Sequence, residues 1–549
     1  MAETRRTAAR PGRLAAGMAV FALALAALPF VGQGLPVTLY EGDALHLVDI
    51  VLRMALFGEL PHRDFMTPLG ILGFAPIAGF ARLGLDFAHA FLAAQALVAT
   101  LLFGPLLRVA CSRFPGGLAW LYGVCVLVLC LGLVHGETVP GLALSMHYNR
   151  WAWALAYLAL PLALMAPIGR RRPVLDGALI GGAMAMLALL KITYFVAFAP
   201  AVLIGLMARR EAAGVFAALL AGLAVAALAT VLLGVDFWAG YLRDLISVAG
   251  SETRAAPGDS LSMVMTGPKY LGGSLLALFA VIFLRQAGER AAGLALLLLV
   301  PGFLYVTYQN FGNDPQWLPL LGLVALALLP GETLTNGLGW RLRPAVLSLG
   351  VAALALGAGS MLNLLFSPLR AALMPREGLV PMLTARSEAA GLLVGAAHAY
   401  GVQRRISGAE PGSPAAALAD RVPEKDRPTP VVLNGETLPT CTLELGGQGW
   451  FETTAADLQA AGYGGSAVLV ADLLSGLWLF GDFRPVEGGA PWYYAGAPGI
   501  AAADYLMVPL CPSQAKYSAT MLKAVTDAGW RLIEERRTDG YILLRPERG

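Results

Sequence analysis

Charge is scarce in this chain: Asp, Glu, Lys and Arg make up 14% of its 549 residues, where ordinary soluble domains carry about 25%. With 57% hydrophobic residues and a mean hydropathy of +0.66, it reads as an integral membrane protein. An excess of either sign is lacking too. The net charge is +3, no basic stripe stands apart from the arginines of short loops, and nucleic-acid binding is not indicated. The five cysteines form no paired motif, so zinc is not indicated. Cys111, Cys125 and Cys130 fall in or beside apolar runs as packing residues, whereas Cys441 and Cys511 lie in a C-terminal region where an oxidising compartment would permit a disulfide without requiring one. There is also no glycine-rich phosphate fingerprint after a strand and no ordered Ser/His/Asp set. Paired internal repeats of the kind common in transporters are missing.

What is present is a series of long apolar runs. A helix needs roughly 20 residues to cross the hydrocarbon core, and runs of that order occur near 14–33, 68–84, 88–107, 117–134, 151–168, 174–190, 192–208, 212–234, 268–284, 291–308, 316–330 and 345–366. Barrel strands would instead alternate over about 10 residues, so the expected fold is a polytopic α-helical bundle. Arginines retained in cytoplasmic loops set the orientation. Arg5, Arg6, Arg10 and Arg13 put the N-terminus inside, and Arg170–Arg172, Arg209–Arg210, Arg285 with Arg290, and Arg341 with Arg343 mark four further inside loops. Every run after Arg170 alternates consistently and the last one exits outward, but counting back leaves one crossing unaccounted for between 36 and 150. The expectation is thirteen spans, the extra one within 135–149, or twelve plus a half-helix. The basic start and small-residue end of the first run resemble a signal peptide, but its length favours an uncleaved anchor.

Beyond residue 367 no further span is expected, and an extracytoplasmic soluble domain is assigned to 367–549, following a membrane domain over 1–366. The Pro/Gly/Ser-rich stretch Ser407–Pro430 reads as a linker or long loop. Short strands are predicted at 430–433, 467–470 and 505–509, then a helix over 517–529 and a closing hairpin of 530–536 with 541–544. This is the pattern of a small α/β domain, for which an accessory role is the expectation.

The first outward loop, 36–67, concentrates acids. Asp43, His46, Asp49 and Arg53 lie at offsets of 0, 3, 6 and 10, within about 120° of one another on a helix. The apolar Leu45, Val48, Leu52, Ala55 and Leu56 between them predict an interfacial helix with a narrow polar stripe facing a cavity, ended by Gly58. Acids held beside a bilayer usually have a function, although Asp before a helix is also a preferred cap.

Glu41-Gly42-Asp43, then such a helix, then Gly58-Glu59-Leu60-Pro61-His62-Arg63-Asp64-Phe65 and a proline-led run resembles the first periplasmic loop of GT-C glycosyltransferases, with His62 where the family commonly has tyrosine. The hairpin from Arg170 to Arg210 with the lone Lys191 at its tip is a second likeness. These multi-span enzymes use polyprenyl-phosphate-linked sugars and include protein O-mannosyltransferases and lipid A aminoarabinose transferases. The resemblance covers the membrane half, about 370 residues, and implies an inner-membrane glycosyltransferase acting on a lipid, glycan or protein acceptor outside the cytoplasm.

Inverting transfer needs a base for the acceptor proton and a cation or metal for the leaving phosphate. Asp43, then Glu41, are the catalytic candidates. Lys191, Arg63, Arg150 and Lys269, with Arg254, are candidates for the donor phosphate. His46, His62, Asp64, Tyr148, Asn149, Asn310, Asn313 and Asp314 are candidates for a substrate pocket, the last five at the ends of apolar runs where an aromatic belt alone would explain only Trp and Tyr. Glu41 and Asp43 also offer hard oxygens to a divalent cation, but two carboxylates do not decide this. A transporter or flippase of a lipid-linked glycan, or a non-catalytic envelope assembly protein, would share the membrane half.

Overall fold

A computed structural model of the protein describes residues 10–251, 260–310, 314–406, 416–423, 427 and 429–549. Parts of the predicted linker and the candidates Arg254 and Asn313 lie outside the described residues. Apolar runs become helices because, away from water, the backbone must satisfy its own hydrogen bonds. In chain order the membrane half comprises α1 (Pro11–Ala27), strand β1 (Leu35–Val37), α2 (Glu41–Leu52), α3 (Ala75–Arg82), α4 (Phe87–Arg113), α5 (Gly116–Leu131), α6 (His147–Leu164), α7 (Pro173–Leu190), α8 (Ile192–Ala208), α9 (Ala212–Leu233), α10 (Asp236–Ala249), α11 (Leu261–Thr266), α12 (Pro268–Gln286), α13 (Arg290–Gln309), α14 (Trp317–Ala327) and α15 (Leu342–Leu373).

Among the described residues, seven helices are long and apolar enough to cross a membrane: α1 with its 3-10 extension to Val31, α4, α7, α9, α12, α13 and α15. The protein is a multi-pass membrane protein. Helices α5, α8 and α14 are apolar but shorter. Helix α6 has a polar first turn and is buried along nearly its whole length, so it is surrounded by other helices rather than lipid.

The run at 68–84 is not a span. It yields one 3-10 turn at Ile71–Gly73 and the eight-residue α3, about 12 Å long at 1.5 Å per residue. Gly70, Gly73 and Pro76 interrupt it, and Gly84, in the left-handed region at φ +93°, follows its end. Nor does a helix occupy 135–146, which runs as a loop into α6. Counting α1, α4 to α9 and α12 to α15 as crossings gives eleven, and the arginine-bearing loops then all fall at one end. The missing crossing of the sequence count is thereby a surplus one.

Close packing holds the bundle. A methyl group on Gly177 or Gly181 would collide with the backbone of Gly214 or Ala218, so α7 and α9 meet backbone to backbone. At the arginine-rich end, Asp176 accepts hydrogen bonds from Arg108 and Arg113, each at 2.8 Å. Arg209 donates to the Leu162 carbonyl at 2.8 Å.

The C-terminal part contains β2 (Leu379–Pro381), β3 (Leu392–Gly395), α16 (Ala396–Tyr400), β4 (Gln403–Ile406), β5 (Val432–Leu433), β6 (Glu436–Thr437), β7 (Cys441–Leu445), α17 (Gly447–Ala460), β8 (Val468–Val470), β9 (Tyr505–Pro509), α18 (Ala515–Asp527), β10 (Trp530–Arg537) and β11 (Tyr541–Arg548). Its main sheet has the order β10-β11-β9-β8, with β8 and β9 parallel. Cys441 and Cys511 are joined in a disulfide, their Cα atoms 4.7 Å apart.

The first loop and the C-terminal part interlock. Strand β1 pairs in parallel with β3, Leu35 opposite Leu392. The Met66 amide donates to the Gly489 carbonyl and the Gly488 amide to the Asp64 carbonyl, both at 2.9 Å. Helix α2 is not an interfacial helix with its apolar side in lipid: every residue from Ala44 to Leu52 is buried. Part of its polar stripe faces protein. Asp49 accepts from Arg53 Nε at 2.6 Å and from the Trp478 indole at 3.0 Å, and Arg53 Nη1 reaches the Val486 carbonyl at 3.0 Å. Burial pushes the Asp49 carboxyl up, against the opposing pull of Arg53 and Trp478. As the sequence indicated, Gly58 ends this segment, at φ +72°.

Candidate functional site

Glu41 and Asp43 stand two residues apart in the first turn of α2, about 200° around a helix, so they cannot share one face. Glu41 turns toward the C-terminal part, where its carboxylate meets His398 Nδ1 at 3.2 Å. Asp43 lies close enough to Tyr40 for its charge to act on the phenol. Tyr40 itself is in the left-handed region (φ +59°), unusual for a bulky residue. Its hydroxyl donates to Glu137 Oε1 at 2.8 Å and its ring lies 4.7 Å from that of His135. Partial burial, the bond to Glu137 and the charges of Glu137 and Asp43 push the Tyr40 phenol up to about 12.

His135 leads inward. With Arg150, Asn149, Asn310 and Asp314 it lines a small polar cavity among α6, α8 and α13. Lys191, between α7 and α8, donates to Asn149 Oδ1 at 2.9 Å and Asn310 Oδ1 at 2.6 Å, and its ammonium lies 5.4 Å from the Tyr148 ring centre. Arg150 is 1% exposed. One of its nitrogens donates to the Gly132 carbonyl, while Nε and Nη2 find no hydrogen-bond partner among the described residues. A buried guanidinium with unspent donors is costly unless an anion completes it. Lys269 differs, being held by both oxygens of Asp314 at 2.7 and 2.8 Å, so its charge is already matched.

The structure therefore brings Lys191, Arg150, Tyr148, Asn149, Asn310 and Asp314 together, with Lys269 tied to Asp314. Other candidates go elsewhere. Arg63 is half exposed and forms a local pair with Asp64, which also accepts the Leu60 amide at 2.8 Å. His62, at φ +70°, is buried against Asp244 of α10, Nδ1 to Oδ2 at 2.9 Å, and stacks on Tyr241. His46 faces Trp492 of the C-terminal part, ring centres 5.4 Å apart. Among the described residues no three His, Cys, Asp or Glu side chains gather as a metal site. Sequence reasoning missed Tyr40, His135 and Glu137. His135-Gly136-Glu137, polar residues directly after an apolar run, were the available signal.

Beside this cluster, α7, α8 and α9 enclose a groove of about 350 Å³ lined only by apolar side chains and glycine apart from the indole of Trp238, and reaching Ala188 and Leu189, three and two residues from Lys191.

No protein-family model matches this chain, and no curated protein does. Among solved structures there is a distant likeness. The single-particle cryo-EM structure of the arabinofuranosyltransferase AftD from Mycobacteria has a TM-score of 0.40 at 14% identity, covering 100% of this chain. This chain spans 40% of that protein's length. So slight a likeness carries no weight for the chemistry here, which rests on the residues themselves.

Proposed function

We propose that the protein is a membrane glycosyltransferase that moves a sugar from a polyprenyl-phosphate donor to an acceptor outside the cytoplasm. The observation that carries the reading is the buried Arg150 with two unspent nitrogens, in a cavity it shares with Asn149 and Asn310, both of which accept from Lys191. Buried positive charge of that kind suits a phosphate, which the cavity, at about 10 Å³ large enough for one water, must widen to admit, and the adjoining apolar groove suits the isoprenoid chain of the same molecule. Keeping the arginine-rich loops cytoplasmic puts the first loop, the cluster and residues 367–549 on the opposite side, as a lipid-linked donor facing outward requires.

In this reaction the acceptor hydroxyl oxygen attacks the anomeric carbon and the bond from that carbon to the phosphate oxygen breaks. Asp43 takes the hydroxyl proton. Polyprenyl phosphate leaves with the electron pair, its growing charge met by Arg150 and Lys191. Tyr40, hydrogen-bonded to Glu137, stands beside Asp43 and against the ring of His135, which lines the cavity. Glu41, occupied by His398, takes no proton in this scheme. The test is transfer by the purified protein from a polyprenyl-phosphate sugar, with Arg150→Leu as the comparison. Donor binding that is unchanged in a folded Arg150→Leu protein overturns the reading.

A further inference from the structure

A second cavity, of about 230 Å³, lies where the start of α2 meets the C-terminal part. Glu41, Gly42 and Leu45 close one side, and the other walls come from α16, β7, α17 and the loops after β8 and β9. We propose that this cavity seats a sugar ring of the acceptor, uncharged or amine-bearing, so that residues 367–549 complete the acceptor site. The proposal rests on the transferase reading for the word acceptor, but not for the binding of a sugar.

The lining chemistry selects the ligand. Trp450 and Phe451 offer apolar ring surface, while Glu41, Glu444 and Gln448 offer polar groups. A pyranose or furanose has the matching halves, a C–H face for an aromatic ring and hydroxyls that donate to carboxylates. His398 is the one basic residue of the lining, and it is engaged by Glu41. Three carboxylates line it, Glu41, Glu444 and Asp472, with Glu444 paired to Arg405 at 3.0 Å, and the lining holds no unmatched cation, which disfavours a phosphate or a uronic acid, the opposite preference to that of the Arg150 cavity.

Topology argues independently for a ligand. Asp472 follows the carboxyl end of β8, and Cys511 and Ser513 follow that of β9, the neighbouring parallel strand. Open α/β sheets bind their ligands in the crevice outside such strand ends. The wall is also preorganised. Asp472 accepts from the Ser513 amide at 2.6 Å, the Ser513 hydroxyl at 2.8 Å and the Leu473 amide at 2.7 Å, and the Cys441–Cys511 disulfide fastens β7 to the same loop. A seat that needs no rearrangement loses less free energy on binding. Glu41 of the lining and Asp43 lie on opposite sides of the first turn of α2, so the cavity borders the helix that carries the proposed base.

The test uses the full chain in lipid nanodiscs without donor, probed by saturation-transfer NMR with methyl glycosides of hexoses, pentoses and hexosamines and with a methyl hexuronate. At least one neutral or amino glycoside should show transfer and the hexuronate none. Trp450→Leu, and separately Leu474→Trp to fill the cavity, should each weaken that binding about fivefold or more, with undecaprenyl-phosphate binding retained as proof of folding. No glycoside signal in the parent protein, or an equal signal in a folded variant, overturns the proposal. Because donor is absent, a failed transfer assay would sink the transferase reading and leave this result standing.

Discussion

Two acids in one helical turn have different surroundings: Glu41 is held by His398, and Asp43 stands beside Tyr40. Both were visible in the sequence as acids at the head of a loop. Their separation was not, because it depends on Tyr40, Glu137 and His398, which come from three distant segments. Losing a positioned base costs about 10² to 10⁴ in rate, so Asp43→Asn should nearly abolish transfer in a steady-state assay, whereas a capping role predicts little change because Asn caps equally well. Glu41→Gln should retain far more activity. Lys191→Met should weaken donor binding about tenfold to a hundredfold, the range for a hydrogen bond to a charged group, measured by titration with polyprenyl phosphate. Lys191 and Arg150 were legible because a lone cation among apolar residues is conspicuous. The unspent nitrogens of Arg150 were not, since only packing reveals them.

Among the elements, the helices were read well wherever apolar length was uninterrupted. The failure at 68–84 has a definite cause: hydropathy sums over a window and is blind to Gly70, Gly73 and Pro76, which break the helix into pieces too short to cross. Helix α2 misled for a different reason, since an apolar face with a polar stripe suits a lipid interface and a protein interface equally. The strands of the C-terminal sheet were legible from their short β-branched runs, but α17 was missed because Gly447 and Gly449 obscure its start. Two outcomes belong here. Gly181→Leu should force α7 from α9 and lower thermal stability by about 1–3 kcal/mol, the usual cost of overpacking, read by the melting temperature in detergent. Asp457 of α17 accepts from the Tyr541 hydroxyl and from Arg536, which hold its carboxyl below the ordinary 3.8. Its contribution is thus present above that pH and lost as pH falls through the lowered value. Asp457→Asn should flatten the acid limb of the stability profile of the C-terminal part.

For the whole molecule, orientation is the prediction with the widest reach. A reporter fused near residue 420 should be active only outside the cytoplasm, and cytoplasmic activity there would displace every assignment of the site. The pairing of Leu35–Val37 with Leu392–Val394 also imposes an order of events during biosynthesis. Strand β1 leaves the ribosome 357 residues ahead of its partner (392 minus 35), which at bacterial or eukaryotic synthesis rates is a delay of roughly 20 to 70 seconds. During that interval the loop carrying Asp43 has an open strand edge and no lid, while most of the bundle is being inserted. A ribosome that stalls before residue 392 would release an embedded bundle whose first loop had never been paired, so the surroundings of Asp43 would be completed only near the end of translation.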